Sequence, residues 1–133
     1  MSKPLAFAAF ACLLAAAAPA LAQSEWATPQ LKEMDAVFGQ PLDGMTFEGS
    51  APKDQVGVVK VTLPAAGHYA FVAACGGDCV DIGLILNRGG KPVAEGVTGF
   101  KSELPAGEYQ LKVGFDQCKE AQCRYVVRVY RGG

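Results

Sequence analysis

Residues 63–86 read LPAAGHYAFVAACGGDCVDIGLIL, and their pattern is that of two β-strands joined by a short loop. Every second residue is apolar from Tyr69 to Ala73, and again from Val80 to Leu86. A period of two residues is typical of a strand with one buried face, and the Pro and Gly residues beside each run are turn formers. The stretch therefore predicts two consecutive strands, connected by the loop that carries Cys75 and Cys79.

The same period of two residues recurs along the rest of the chain after Pro41. It predicts further strands around Met45 and Phe47, Val59 to Leu63, Val93, Phe100, Tyr109 to Phe115, and Tyr125 to Val129. No helical pattern lies between them, which excludes the helical crossovers of a parallel sheet. About eight short strands at this spacing predict an all-β fold, an antiparallel jelly-roll-like β-sandwich, over residues 42–133.

A short N-terminal helix is predicted ahead of the sandwich. Leu31, Met34 and Phe38 recur on one helical face, and Thr28 is placed to cap the first turn. Gly and Pro residues shortly after Phe38 end the helix. We expect the apolar face to cover the strand that begins at His68, because that strand is apolar or small on both faces.

The first 22 residues are predicted to be a secretory signal peptide. Lys3 gives a basic start, 14 apolar residues run from Leu5 to Ala18, and Ala20 to Ala22 form a small-x-small cleavage pattern. The apolar run is shorter than the roughly 20 residues that a membrane-spanning helix needs. We therefore expect a periplasmic or secreted protein with no membrane span, whose residues 23–41 form a tail and the helix.

The composition of the exported part argues against nucleic acid as a partner. Without residues 1–22 the chain has 11 basic and 13 acidic side chains, whereas a phosphate-binding protein needs a strongly basic surface. The remaining 111 of 133 residues suit one domain with its own core. We expect a single domain that is monomeric.

Four cysteines remain after residues 1–22 are removed, and an even number in an exported chain indicates disulfides. Three pairings of Cys75, Cys79, Cys118 and Cys123 are possible. We expect the local pairs, Cys75 with Cys79 and Cys118 with Cys123, because the glycines of the first loop let the backbone turn tightly. Chain entropy does not distinguish the pairings, and the spacing and the export both disfavour a zinc site.

Two segments that begin strands share a Leu-Pro-Ala-(Ala)-Gly-x-Tyr pattern, at residues 63–69 and 104–109. Pro and Gly shape the turn, and the tyrosine starts an inward-facing strand while its hydroxyl reaches a backbone group at the sheet end. Each segment leads through a strand into a cysteine loop. If the two units are equivalent, both cysteine loops emerge at the same end of the sandwich.

Residues 67–86 and 104–111 resemble the bacterial pre-peptidase C-terminal domain, in the cysteine-containing form found as small stand-alone exported proteins. The resemblance spans residues 56–131. It implies a jelly-roll-like sandwich that acts as an accessory or binding module, with calcium or matrix protein as the ligand in related domains. Of the family's Asp-Leu-Asp-Leu pattern, this chain keeps the first acid as Asp81 and has Gly83 in place of the second.

Three acids are candidate calcium ligands. Asp78 and Asp81 flank Cys79, and Asp116 precedes the second cysteine loop, so the three converge if the loops share an end. Calcium binds through roughly six to eight oxygens, some of which a Gly-rich loop can supply. The alternative is that these acids are ordinary turn and sheet-edge residues. Calcium is the one cofactor that the sequence raises.

Arg128 and Tyr130 are the candidate binding residues, because they lie in a mixed polar row on the predicted solvated face of the last strand. An Arg-Tyr pair can recognise a glycan or an acidic partner, and the alternative is an ordinary solvated face. Catalysis is not expected, since the only histidine, His68, adjoins a turn and no serine lies in a nucleophile motif.

The sequence therefore predicts an exported, non-catalytic binding or structural module that recognises a protein or glycan of the cell envelope. A calcium-binding accessory domain is the alternative.

Overall fold

A computed structural model describes residues 24–76 and 79–132. Within these residues the chain forms one helix and eight strands. They are α1 (Ala27–Phe38), β1 (Pro41–Pro52), β2 (Gly57–Leu63), β3 (Gly67–Cys75), β4 (Asp81–Arg88), β5 (Lys91–Val97), β6 (Gly99–Leu104), β7 (Gly107–Asp116) and β8 (Gln122–Arg131). The predicted signal peptide, residues 1–22, lies outside the described residues. No helix in the described part is long and apolar enough to cross a membrane.

The strands form two four-stranded sheets that pack face to face. Sheet A has the order β1-β8-β3-β6, and sheet B has the order β2-β7-β4-β5. Every strand pairing is antiparallel. The chain changes sheet at every connection except the tight turn between β4 and β5, which is the arrangement of an eight-stranded jelly roll. The predicted antiparallel β-sandwich is confirmed.

The core lies between the sheets and is built from the alternation seen in the sequence. In β7, Tyr109, Leu111 and Val113 are buried, whereas the residues between them are exposed. Val80 is an exception, because β4 begins one residue after it and its side chain is 58% exposed. The buried series of β4 therefore starts at Ile82 and not at Val80.

Helix α1 lies on the outer face of sheet A. Leu31 and Met34 are buried there together with Ala70 of β3 and Val126 of β8. The prediction that the helix covers the strand after Gly67 is confirmed. Because β3 and β8 are the central strands of sheet A, they pack against the core on one face and against the helix on the other.

The start of α1 differs from the prediction, and its end agrees with it. Trp26 occupies the N-cap position, and no side chain caps the helix. Thr28 lies in the first turn instead, where its hydroxyl is 3.5 Å from the Ser24 carbonyl oxygen. At the other end Gly39, with φ of 91°, donates its amide to the Asp35 carbonyl at 2.9 Å. A glycine with positive φ follows the last helical residue, and the helix ends here as expected.

The two Leu-Pro-Ala-Gly-Tyr segments form equivalent corners of the sandwich. Tyr69 donates its hydroxyl to the Ala65 carbonyl, and Tyr109 donates its hydroxyl to the Pro105 carbonyl at 2.6 Å. The predicted reach of both hydroxyls to a backbone group is confirmed.

An arginine lies on each of these tyrosine rings. Arg131 is 5.4 Å from the centroid of Tyr69, and Arg88 is 5.4 Å from the centroid of Tyr109. Each guanidinium also donates to an alanine carbonyl of the adjacent turn, at 3.2 and 3.3 Å. The repeated sequence thus forms a repeated structure, in which an arginine contacts both the tyrosine ring and a carbonyl of the adjacent turn.

Both disulfides are local, as predicted. Cys75 is bonded to Cys79 with the Cα atoms 6.0 Å apart, and Cys118 is bonded to Cys123 with the Cα atoms 6.2 Å apart. Each bond therefore closes one short connection and does not join the two sheets.

The two cysteine loops lie at the same end of the sandwich. The Gly76 amide donates to the Arg124 carbonyl at 3.0 Å, which ties the first loop to the start of β8. The Val80 amide donates to the Asp116 carbonyl at 3.1 Å, which ties it to the end of β7. The expectation that the loops emerge together is confirmed.

Candidate functional site

An open groove of about 400 Å³ lies on the outer face of sheet B. Its floor is formed by Gly83 of β4 and Gly114 of β7, which are directly opposite each other in the antiparallel register. Val56, just before β2, forms one wall, and Val97, at the end of β5, forms the other. These two side chains are 53% and 68% exposed, so apolar surface on both sides of the floor faces solvent.

The groove extends across sheet B from one edge to the other. Its wall at Val97 belongs to the edge strand β5, its wall at Val56 directly precedes the edge strand β2, and its floor belongs to the two central strands. With neighbouring strands about 4.8 Å apart, the edge strands are separated by about 14 Å.

The fold does not require glycine at either floor position. Neither residue is among those with positive φ in the described chain. A Cβ atom at Gly83 would meet no atom within 4 Å, and one at Gly114 would lie 3.9 Å from the Val56 side chain. Gly96 of β5 is different, because a Cβ there would collide with the Gly99 carbonyl oxygen.

Glycine at the two floor positions therefore lowers the stability of the strands, and the fold does not require it there. Glycine within a strand destabilises a protein by roughly 0.5–1 kcal/mol relative to alanine. In strand interiors it often marks a place where a ligand or another backbone approaches closely. Gly83 and Gly114 are paired at one site, which makes the outer face of sheet B the candidate contact surface.

Two carboxylates lie just beyond one end of the groove. Asp81 and Asp116 are directly opposite each other on β4 and β7, two residues from the floor glycines and hence on the same face. Both are exposed. Like charges at directly opposite positions destabilise a sheet, and no ion pair to either acid occurs in the described part of the chain.

Further charged residues lie at the opposite end of the groove. Ile85 of β4 is opposite Lys112 of β7 on one side and Glu95 of β5 on the other. With Asp81 and Asp116, the surroundings of the floor carry three carboxylates and one ammonium group. The acids dominate the charge around the groove, and two of them are concentrated at one end.

The structure brings two of the three predicted calcium ligands together. Asp81 and Asp116 are adjacent, whereas Asp78 lies outside the described residues. Among residues 24–76 and 79–132, no group of three or more His, Cys, Asp or Glu side chains is arranged to hold a metal ion. Calcium binding stays a prediction.

Arg128 and Tyr130 do not lie on a solvated face, and this part of the prediction is wrong. Tyr130 is 1% exposed and donates its hydroxyl to the Asp35 carboxylate at 2.6 Å. Arg128 donates to both oxygens of Asp35, at 3.0 and 2.9 Å. Burial, reinforced by the hydrogen bond to Asp35, raises the pKa of Tyr130 above its ordinary value. The physical reason for the error is helix α1, which covers this face and is attached through these two side chains.

His68 lies on sheet A, outside the groove. Its Nε2 atom is 3.3 Å from a carboxylate oxygen of Glu103, the residue opposite it on β6, and both side chains are exposed. This position agrees with the prediction of a surface histidine beside a turn.

The groove itself was not predicted from the sequence. Its signal was present as Gly83 and Gly114, two glycines within otherwise alternating apolar strands. The register that places them opposite each other depends on how β4 pairs with β7, which the sequence does not state.

No family model and no curated protein matches the chain. Among solved structures, the chain is similar to PliG of Aeromonas hydrophila, a periplasmic lysozyme inhibitor of g-type lysozyme. The match has a TM-score of 0.50 at 14% sequence identity, and it covers 68% of this chain and 90% of that one. At this level of identity the similarity supports the β-sandwich fold alone.

Proposed function

We propose that this chain is an exported, non-catalytic binding module that recognises a protein of the cell envelope through the groove on sheet B. The observation that carries the proposal is the Gly83–Gly114 pair. It keeps an apolar surface open at the centre of a sheet, where larger side chains would fit and would stabilise the strands. Two disulfides in the folded domain agree with an oxidising compartment.

A protein partner is favoured over a glycan by the lining of the groove. Sugar rings commonly stack on aromatic side chains, and no aromatic residue is among those that line the groove. The lining is instead aliphatic and glycine-rich with charged residues at its ends, which suits a polypeptide segment that packs flat on the sheet.

The similar structure suggests which protein to test first. PliG is a lysozyme inhibitor of the periplasm, and we propose a g-type lysozyme as the first candidate partner of this chain as well. The shared sandwich architecture supports this choice, although the groove described above is argued from this chain alone.

The test is inhibition of g-type lysozyme by the purified protein, with c-type lysozyme in parallel. Gly83→Leu places a side chain in the groove at a position where its Cβ meets no atom within 4 Å, and Thr62→Leu places the same side chain at an exposed position of β2 on the same sheet. We expect the wild type and Thr62→Leu to inhibit equally and Gly83→Leu to lose inhibition. A folded Gly83→Leu variant that inhibits like the wild type would refute the groove as the binding surface. Absence of inhibition by the wild type would refute lysozyme as the partner.

The second proposal is a calcium-binding accessory domain of pre-peptidase C-terminal type. The direct opposition of Asp81 and Asp116 supports it. Two carboxylates at opposite positions of neighbouring strands repel each other, and a cation shared between them removes this repulsion. A rise in melting temperature with calcium, absent in the Asp81→Asn variant, would favour this function, and a melting temperature independent of calcium would exclude it.

A further inference from the structure

We propose that the groove on sheet B binds an extended polypeptide segment in which an apolar residue and a basic residue are two positions apart. This inference rests on the proposed function, since it assigns the chemistry of the segment that the groove receives. It follows from the order of side chains along β4 and β7, from the acid pair to the glycine floor.

The spacing of the two subsites matches that of an extended chain. Asp81 and Gly83 are two residues apart on β4, as are Asp116 and Gly114 on β7. In a strand this separation is about 6.6–6.8 Å, and it places both subsites on the same face of the sheet. A bound strand has the same rise, so its residues i and i+2 face the floor and the acid pair together.

The floor selects an apolar side chain. Its walls are Val56 and Val97, and Ile85 follows Gly83 on the outward face of β4. Because both floor residues lack side chains, a Val, Leu or Ile of the partner can approach the backbone of β4 and β7 and be covered by the walls on either side. Covering such a side chain removes apolar surface from water and so favours binding.

The acid pair selects a basic side chain. Asp81 and Asp116 repel each other in the free protein and have no cationic partner in the described residues. An Arg or Lys of the partner removes this repulsion and adds two charge-assisted contacts, for which the planar guanidinium is best suited. At the far end of the groove Lys112 and Glu95 offset each other's charge, so the acid pair alone sets the direction of the segment.

Three blocked peptides test this chemistry with the purified protein. The probe is acetyl-Thr-Leu-Thr-Arg-Thr-amide, in which Leu and Arg are two positions apart. The charge control carries Glu in place of Arg, and the spacing control, acetyl-Thr-Leu-Arg-Thr-Thr-amide, places Leu and Arg on opposite faces of an extended chain. Affinities are measured by NMR titration, because contacts this small bind weakly.

We expect the probe to bind at least about tenfold more tightly than either control, which corresponds to roughly 1.4 kcal/mol. The Asp81→Asn, Asp116→Asn double variant should remove this preference, while Asp43→Asn on sheet A should retain it. The double variant should also melt at a slightly higher temperature, because it lacks the opposed charges, and this readout shows that it is folded.

Equal binding of the probe and its controls would overturn the proposal, and so would binding of none of them. If calcium binds the acid pair and the probe does not, the proposal is overturned and the acid pair is a metal site. The groove and the chemistry of its segment are tested by different variants. If Gly83→Leu abolishes binding of a partner protein but the double Asn variant does not, the groove stands and the chemistry of the segment is wrong. If Gly83→Leu has no effect, the groove itself is not the binding surface.

Discussion

Replacement of Gly83 by valine should stabilise the protein while it fills the groove. A Cβ at this position meets no atom within 4 Å, and the residue lies in the interior of β4 between two paired strands. The substitution removes the conformational freedom of glycine from the unfolded chain and adds a β-branched side chain beside Val97, its opposite residue on β5. We expect a gain of about 0.5–1 kcal/mol in the free energy of unfolding.

For a domain of about 110 residues, a change of 1 kcal/mol shifts the melting temperature by roughly 4 °C. The assay is thermal and chemical unfolding of the wild type, Gly83→Val and the matched control Gly96→Val. The control should lose at least about 1–3 kcal/mol, because its side chain would collide with the Gly99 carbonyl oxygen. A Gly83→Val variant destabilised as strongly as Gly96→Val would show that the fold needs this glycine, and the argument for a contact surface would fail.

Three further predictions concern the tyrosine corners, one disulfide and the attachment of the helix. Tyr109→Phe removes the hydrogen bond to a turn carbonyl and should cost about 1 kcal/mol in urea unfolding, with a similar loss for Tyr69→Phe if the two corners are equivalent. An unchanged unfolding midpoint in both variants would count against that equivalence. Replacement of Cys118 and Cys123 by serine should cost about 2 kcal/mol from the short loop alone, and a loss near zero would mean that the loop is already ordered in the unfolded chain. The free energy of unfolding should fall as pH rises above about 10, because the unfolded state then releases the proton of Tyr130 while burial and Asp35 keep it bound in the folded state. A titration of unfolding at alkaline pH checks this, and the decline should be shallower in Tyr130→Phe.

The sequence predicts most of the sandwich because its main signals are local. Alternation identifies the inward residues of β7, and the two Leu-Pro-Ala-Gly-Tyr segments specify corners whose tyrosines reach carbonyls four residues upstream. The cysteine pairs are equally local, since each closes a single connection. Such features depend on residues within a few positions of each other.

The site could be predicted only in part, because it depends on how distant segments pair. Tyr130 alternates as an outward residue of β8, and only the position of α1 on sheet A shows that this outward face is covered. The contact surface arises because β4 and β7 pair in a register that sets Gly83 against Gly114 and Asp81 against Asp116. The two pairs are separated by 31 and 35 positions along the chain, and no turn or motif in the sequence specifies that register.

The most direct test of the groove is a chemical-shift map of the ¹⁵N-labelled protein with the acetyl-Thr-Leu-Thr-Arg-Thr-amide probe. We expect the largest amide shift changes at Gly83, Gly114 and Asp81, with smaller ones along β5 near Val97. Changes concentrated on α1 or on sheet A, or no changes at probe concentrations of several millimolar, would contradict the claim that the outer face of sheet B is the binding surface.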